Sequence, residues 1–184
     1  MRTFIAIELT NGIQDKLASL QEKLKSASAD VKWVNPSNIH LTLKFLGDTD
    51  EKKIDPIKNI INKLAIKFKA FNSEVSGLGA FPNLQSPRVI WAGLSNADTI
   101  SAISETLEDG LEKLGFPKEK HSFKPHLTLG RVRCPKNIDI LEKILAENLD
   151  FKAGILEIKT VCLIESKLSP KGPAYTTIYS KTLA

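Results

Sequence analysis

One tetrapeptide occurs twice in this chain, and it restricts the possible folds more than any bulk property does. His40-Leu41-Thr42-Leu43 returns as His126-Leu127-Thr128-Leu129, an offset of 86 residues in a chain of 184. That is close to half the length and points to an internal duplication in which each half supplies one copy. Along a strand, residues two apart share a face. His40 and Thr42 therefore point one way and Leu41 and Leu43 the other; His126 and Thr128 repeat the arrangement. Each copy has a leucine face to bury and a face that presents an imidazole and a hydroxyl. If a pseudo-twofold axis relates the halves, the two polar faces look at each other across a cleft.

The segments around the motifs alternate between strand and helix patterns. Residues 2–9 read as a strand, and Ile13, Leu17, Leu20 and Leu24 recur along one helical face. Residues 31–34 form a short strand ended by Asn35-Pro36, and 39–46 alternate as a strand. Ile54, Ile57, Ile60, Ile61 and Leu64 predict a second helix, with Asp48-Thr49-Asp50 able to cap it. Pro56 sits near its start, where a missing N–H is tolerated. Strands follow near 71–79 and 88–94, joined by the turn-rich segment Phe81–Pro87. Ile100, Ile103, Leu107, Leu111 and Leu114 predict a third helix, 126–133 a strand and 138–149 a fourth helix. Two strands, 151–165 and 174–183, close the chain around the turn Ser169-Pro170-Lys171-Gly172-Pro173. This mixture predicts an α+β protein with helices covering one face of largely antiparallel sheets. With no linker or low-complexity tract, residues 1–184 are expected to form one domain of two packed lobes.

Composition narrows the classes. At 42% hydrophobic and 26% charged, the chain is globular rather than disordered. No apolar run approaches the roughly 18 residues a membrane span requires, and Met1–Glu8 is too short and too soon interrupted by acid for a signal peptide. A cytoplasmic protein with no membrane partner is expected. A net charge of +5 favours encounters with anions such as nucleic acid, but it says nothing about chemistry. Cys134 and Cys162 are isolated, which argues against a zinc ribbon or a thioredoxin-type site and leaves two unpaired thiols.

The chemistry of the repeat suits phosphodiester cleavage. Imidazole titrates near pH ~6.5, so one histidine can take a proton while another gives one. Threonine hydroxyls can donate to non-bridging phosphate oxygens, and Arg131, five residues after His126, could grip a phosphate bidentately. No metal or cofactor is needed. A single histidine on a strand is more often a satisfied core residue, and threonine is an ordinary strand former. Two identical copies using two of only three histidines are hard to assign to that ordinary cause. The third, His121, lacks such a context and reads as a loop residue.

With these residues in place the sequence resembles the two-histidine phosphoesterases, in the branch of RNA 2′,3′-cyclic phosphodiesterases and 2′–5′ RNA ligases. The resemblance spans the chain, from Arg2-Thr3-Phe4-Ile5-Ala6-Ile7 through Trp33-Val34, Gly79-Ala80-Phe81-Pro82 and Pro87–Trp91. It ends at Ser166, Leu168 and Gly172-Pro173-Ala174-Tyr175. The family's patterns H-x-T-x-x-F and H-x-T-x-x-R stand here as His40–Phe45 and His126–Arg131. The resemblance implies a bilobal α+β fold with two pseudo-twofold-related lobes, antiparallel sheets facing a central cleft and helices outside. It implies His40 as the general acid for the O3′ leaving group and His126 as the base that activates water. Arg131 would stabilise the pentacovalent phosphate, Thr42 and Thr128 would hold its oxygens, and Phe45 would stack on the terminal base. By alternation from His40, however, Phe45 falls on the leucine face unless the strand bulges. Lys44 and Lys124 read as solvated charges rather than phosphate contacts, while Lys171 and Tyr175 could border the cleft but are adequately explained by a turn and a strand.

Three functions compete. A cyclic phosphodiesterase acting on RNA ends, with tRNA fragments or nucleotides as substrates and a monomeric state, is favoured. Reversible 2′–5′ ligation would use the same residues with a ribose 5′-OH in place of water. A catalytically silent RNA-binding module would have no use for two proton-transfer groups.

Overall fold

The computed structural model of the protein describes residues 1–170 and 172–184; Lys171 lies outside the described residues. Among the described residues, nine strands and four α-helices follow in the order β1 (Arg2–Glu8), α1 (Asn11–Lys25), β2 (Val31–Trp33), β3 (His40–Asp48), α2 (Ile54–Lys67), β4 (Phe71–Phe81), β5 (Val89–Leu94), α3 (Ala97–Glu112), β6 (Leu127–Val132), α4 (Ile138–Glu147), β7 (Lys152–Ile158), β8 (Thr160–Ser169) and β9 (Gly172–Thr182). Most elements fall where periodicity puts them. The expected strand 151–165 differs: it changes partner at Lys159, so that β7 pairs with β4 and β8 with β1. No turn-forming residue marks that change.

All strand pairs are antiparallel, in the order β7-β4-β5-β6-β3-β1-β8-β9, with β2 added to β6. The order reads symmetrically outward from β6 and β3, which meet at one register pair, Leu41 opposite Leu127. On either side lies a four-stranded half-sheet. The sheet must curl strongly. Asn38, just before β3, donates its side-chain N–H to the Pro173 carbonyl on β9 at 2.9 Å, although β9 is three strands away and flat strands lie about 4.8 Å apart.

The helices cover the convex side. The buried stripe Ile13, Leu17, Leu20 and Leu24 of α1 faces β7 and α4, while α3 packs on β3 and α2. The halves of the sequence are therefore not the halves of the sheet: α1 follows β1 yet lies behind the other half, and α3 follows β5 yet lies behind β3. One large core of leucine and isoleucine fills the space between helices and sheet. A small second cluster, Phe4, Ala6, Cys162 and Ile164 with Tyr175 against it, occupies the concave face beside β3.

Candidate active site

The two motifs lie side by side at the centre of the sheet. Leu41 and Leu127 are fully buried behind the seam, so alternation places His40, Thr42, His126 and Thr128 together on its concave face. Antiparallel register around the Leu41–Leu127 pair sets His40 beside Thr128 and Thr42 beside His126. The histidines thus occupy diagonal corners of one four-residue patch, positions that on a regular ladder are about 7–8 Å apart.

Each imidazole is held in the same way. His40 Nδ1–H donates to the Asn38 carbonyl at 2.7 Å, and His126 Nδ1–H donates to the Lys124 carbonyl at 2.6 Å. In both cases the acceptor lies two residues upstream. This fixes the tautomer and leaves Nε2 to accept a proton when the ring is neutral or to give one when it is charged. Burial holds both histidines below their ordinary value of 6.5. Their neighbours then act in opposite senses. The Glu8 carboxylate, together with the Asn38 carbonyl, pushes His40 back upward. At His126 the Lys124 carbonyl also pushes upward, but the Arg131 guanidinium pushes downward.

A matched pair of β-bulges decides where Phe45 and Arg131 point. Between β1 and β3, Ala6 pairs with Thr42 and Ile5 with Lys44, leaving Leu43 as an extra residue. Between β5 and β6, Trp91 pairs with Thr128 and Ile90 with Gly130, leaving Leu129 extra at the corresponding place. An inserted residue shifts the alternation by one. Leu43 and Lys44 consequently both face the interior, and Phe45 emerges 61% exposed. Leu129 and Gly130 are likewise buried, and Arg131 is exposed. The strand bulges, the condition under which alternation from His40 no longer sends Phe45 to the leucine face.

The carbonyl of each extra residue accepts a hydrogen bond from a helix side chain behind the sheet. Leu43 O accepts from Ser104 Oγ on α3 at 2.9 Å. Leu129 O accepts from Gln21 Nε2 on α1 at 2.9 Å and from the Val34 N–H at 2.9 Å. Gln21 and Ser104, each 1% exposed, went unnoticed in the sequence. Their signal was a polar residue on the apolar face of an amphipathic helix.

Aromatic rings shape both corners. Phe4 stacks on His40 with centroids 4.7 Å apart, Tyr175 meets His40 edge-on at 5.3 Å, and Phe45 lies 6.1 Å from Phe4. Phe81 meets His126 edge-on at 5.0 Å and leans on Trp91 at 5.3 Å. Among the described residues, the Trp91 indole N–H is the one buried side-chain polar atom without a partner. The sequence gives Phe4 and Phe81 no site role, since Phe4 lies in an expected strand and Phe81 opens a turn-rich segment; Tyr175 borders the cleft.

The remaining expectations divide. His121 is exposed at a bend, and Lys124 is exposed and contributes its carbonyl. Lys44 is not a solvated charge. It is 3% exposed, with Nζ at 2.8 Å from Glu108 and 2.7 Å from the Pro117 carbonyl, because the bulge turns it inward. Lys171 falls outside the described residues. Among the described residues no cluster of three His, Cys, Asp or Glu converges as metal ligands, and no helix is long and apolar enough to cross a membrane. A groove of about 460 Å³ between α2 and α3, lined by residues such as Ile60, Lys63 and Gly110, contains none of the motif residues.

A curled antiparallel sheet with one H-x-T motif on each central strand defines a two-histidine phosphoesterase. The chain belongs to the LigT-like phosphoesterase family, whose model matches residues 7–91 and 94–175. It is 39% identical to the RNA 2′,3′-cyclic phosphodiesterase of Methanothermobacter thermautotrophicus, over 96% of this chain and 95% of that one. It is 37% identical to the protein of the same name from Archaeoglobus fulgidus, over 95% and 96%. Among solved structures, the protein TT0787 of Thermus thermophilus superposes with a TM-score of 0.82 at 30% identity, covering 100% of this chain and 98% of that one.

Proposed function

We propose that the protein hydrolyses 2′,3′-cyclic phosphates at RNA ends to 2′-phosphomonoesters, with His40 as general acid and His126 as general base. The observation that carries this reading is the pair of identically tethered imidazoles on diagonal corners of one seam, with opposite charges beside them. His126, next to the Arg131 cation, is the ring biased toward the neutral, proton-accepting form. His40, which burial also lowers, has instead the Glu8 carboxylate opposing that loss and favouring the proton it must donate. The names of the relatives support the substrate class.

In the reaction, His126 Nε2 takes a proton from water as the water oxygen bonds to phosphorus. The P–O3′ bond breaks on the opposite side, and His40 Nε2 gives its proton to O3′. The products are a 2′-phosphate and a free 3′-OH, and the two rings exchange protons with solvent before the next turnover. Charge builds on the non-bridging oxygens, where Arg131, Thr42 and Thr128 donate. Phe45, exposed next to Phe4, whose ring stacks on His40, offers a face for the terminal base. The protein acts as a monomer without metal.

The test is an RNA oligomer ending in a 2′,3′-cyclic phosphate, incubated in chelating buffer with wild type, His40→Ala and His126→Ala. Conversion to a 2′-phosphate end is expected, with each variant slower by about 10²–10⁴-fold. Binding without any change at the end would overturn the catalytic reading. Joined 2′–5′ products would show that a 5′-OH replaces water.

A further inference from the structure

Beyond the motif residues, one carboxylate is built into the concave face. Glu8 on β1 is the direct cross-strand partner of His40 on β3, so the two side chains share a face with Cβ atoms about 4.5–5.5 Å apart. Glu8 does not bond the ring, whose Nδ1–H is taken by the Asn38 carbonyl. It is held instead from the other side. The Thr177 hydroxyl on β9 donates to Glu8 Oε1 at 3.0 Å, and the Cys162 thiol on β8 lies 3.9 Å from Oε2. The curl of the sheet brings β9 over far enough to make that contact.

The other groups around His40 carry no charge near neutrality. Tyr175 meets the ring edge-on, and burial raises its hydroxyl. Burial likewise pushes the Cys162 thiol up to about 11. Phe4 on β1 and Phe45 on β3 are apolar. Arg2 acts on Tyr175, and His126 with Arg131 occupies the opposite corner. Among the described residues Glu8 is the charged group that bears on His40.

We propose that Glu8, fixed by Thr177, is a positioning residue whose negative charge favours the protonated form of His40 and so readies the acid half of the pair. The proposal rests on the assignment of His40 as the acid. The two motifs have the same backbone, and what separates donor from acceptor is then a carboxylate on one corner and a guanidinium on the other.

The experiment titrates the His40 imidazole by NMR in the intact protein, assigned by its loss in His40→Asn, and records the pH profile of kcat/KM on the cyclic-phosphate oligomer. In Glu8→Gln the His40 midpoint should fall by about half a pH unit, as expected for one charge roughly 5 Å away in a well-solvated setting. The alkaline limb of the profile should move down with it. Glu8→Asp should restore both, and Thr177→Val should give a smaller shift. A purely structural role would lower the rate at every pH without moving the limb or the midpoint, and that result overturns the proposal. The titration needs no turnover. If the wild type leaves cyclic ends unchanged, the functional reading fails while the midpoint still decides whether Glu8 acts on His40.

Discussion

Replacing Lys44 with methionine removes the ammonium that anchors the first bulge from behind. The lysine is 3% exposed, and its Nζ lies 2.8 Å from Glu108, 2.7 Å from the Pro117 carbonyl and 3.5 Å from Glu119. Methionine fills much of the same volume, so the loss is electrostatic rather than a cavity. The Glu108 side chain, 13% exposed, is left as a nearly buried charge without its counterion. Breaking one side of such a pair costs about 3–5 kcal/mol. The remaining exposure of Glu108 favours the lower end, so about 3 kcal/mol is expected. In a protein of this size each kcal/mol lowers Tm by roughly 2–4 °C, giving a drop of about 6–12 °C by calorimetry. Lys44→Met combined with Glu108→Leu removes both charges and should recover most of the loss, since well-packed apolar pairs often equal a buried ion pair. If the single variant loses less than about 1 kcal/mol, or the double variant falls further, the ion pair is not what holds this segment.

Three further outcomes follow from the same geometry. Phe45→Ala should leave stability within about 0.5 kcal/mol, because the ring is largely exposed. In steady-state kinetics it should raise KM for the RNA by the equivalent of about 1–3 kcal/mol of stacking. Gln21→Leu should cost about 1–3 kcal/mol by denaturant titration, because the Val34 and Leu129 carbonyls lose donors at 2.8 and 2.9 Å; it should also slow turnover by loosening the bulge that aims Arg131. Both site histidines are depressed by burial from 6.5, so the unfolded chain binds protons before the folded one. Their contribution to stability is present above pH ~6.5 and is lost as pH falls through the folded values. The double variant His40→Ala/His126→Ala should therefore show a shallower decline of Tm between pH 7 and pH 5 than wild type, and an unchanged slope would refute this reading.

The elements and the seam were legible because they rest on periodicities. Ile13, Leu17, Leu20 and Leu24 could hardly face anywhere but the core, and a duplicated motif with a leucine face could hardly sit elsewhere than at the centre of a sheet. The bulges were harder to see, since nothing in Leu43 or Leu129 announces an extra residue. The clue was the spacing itself: His to Thr is two residues, but Thr to Phe45 or Arg131 is three, an odd step that can return to the same face only if the strand slips by one. Lys44 was misread for the same reason, as its inward turn depends on the bulge and its partner Glu108 lies 64 residues away. The change of partner at Lys159 had no local signal at all. It comes from the curl of the sheet, which carries one continuous stretch of chain from β4 to β1.

Duplication by itself gives two equivalent imidazoles, and equivalent groups make a poor acid–base pair because neither prefers to hold the proton. The backbone here is close to symmetric at the site: the same carbonyl tether, the same bulge position, and a helix side chain donating to the carbonyl of each extra residue. What breaks the symmetry is carried by side chains outside the H-x-T triplets. One bulge presents Phe45 and the other Arg131, and the strand beside His40 adds Glu8. An aromatic face on the side of the proposed acid suits a base, and a guanidinium near the proposed base suits the phosphate. Exchanging the two residues, Phe45→Arg with Arg131→Phe, keeps both bulges and both histidines. It should nevertheless lower kcat/KM further than Arg131→Phe alone, because it also places positive charge on the His40 side of the cleft, where the proposed acid has to hold a proton. An exchanged variant as active as wild type would show that the two corners are interchangeable and that these side chains do not assign the roles.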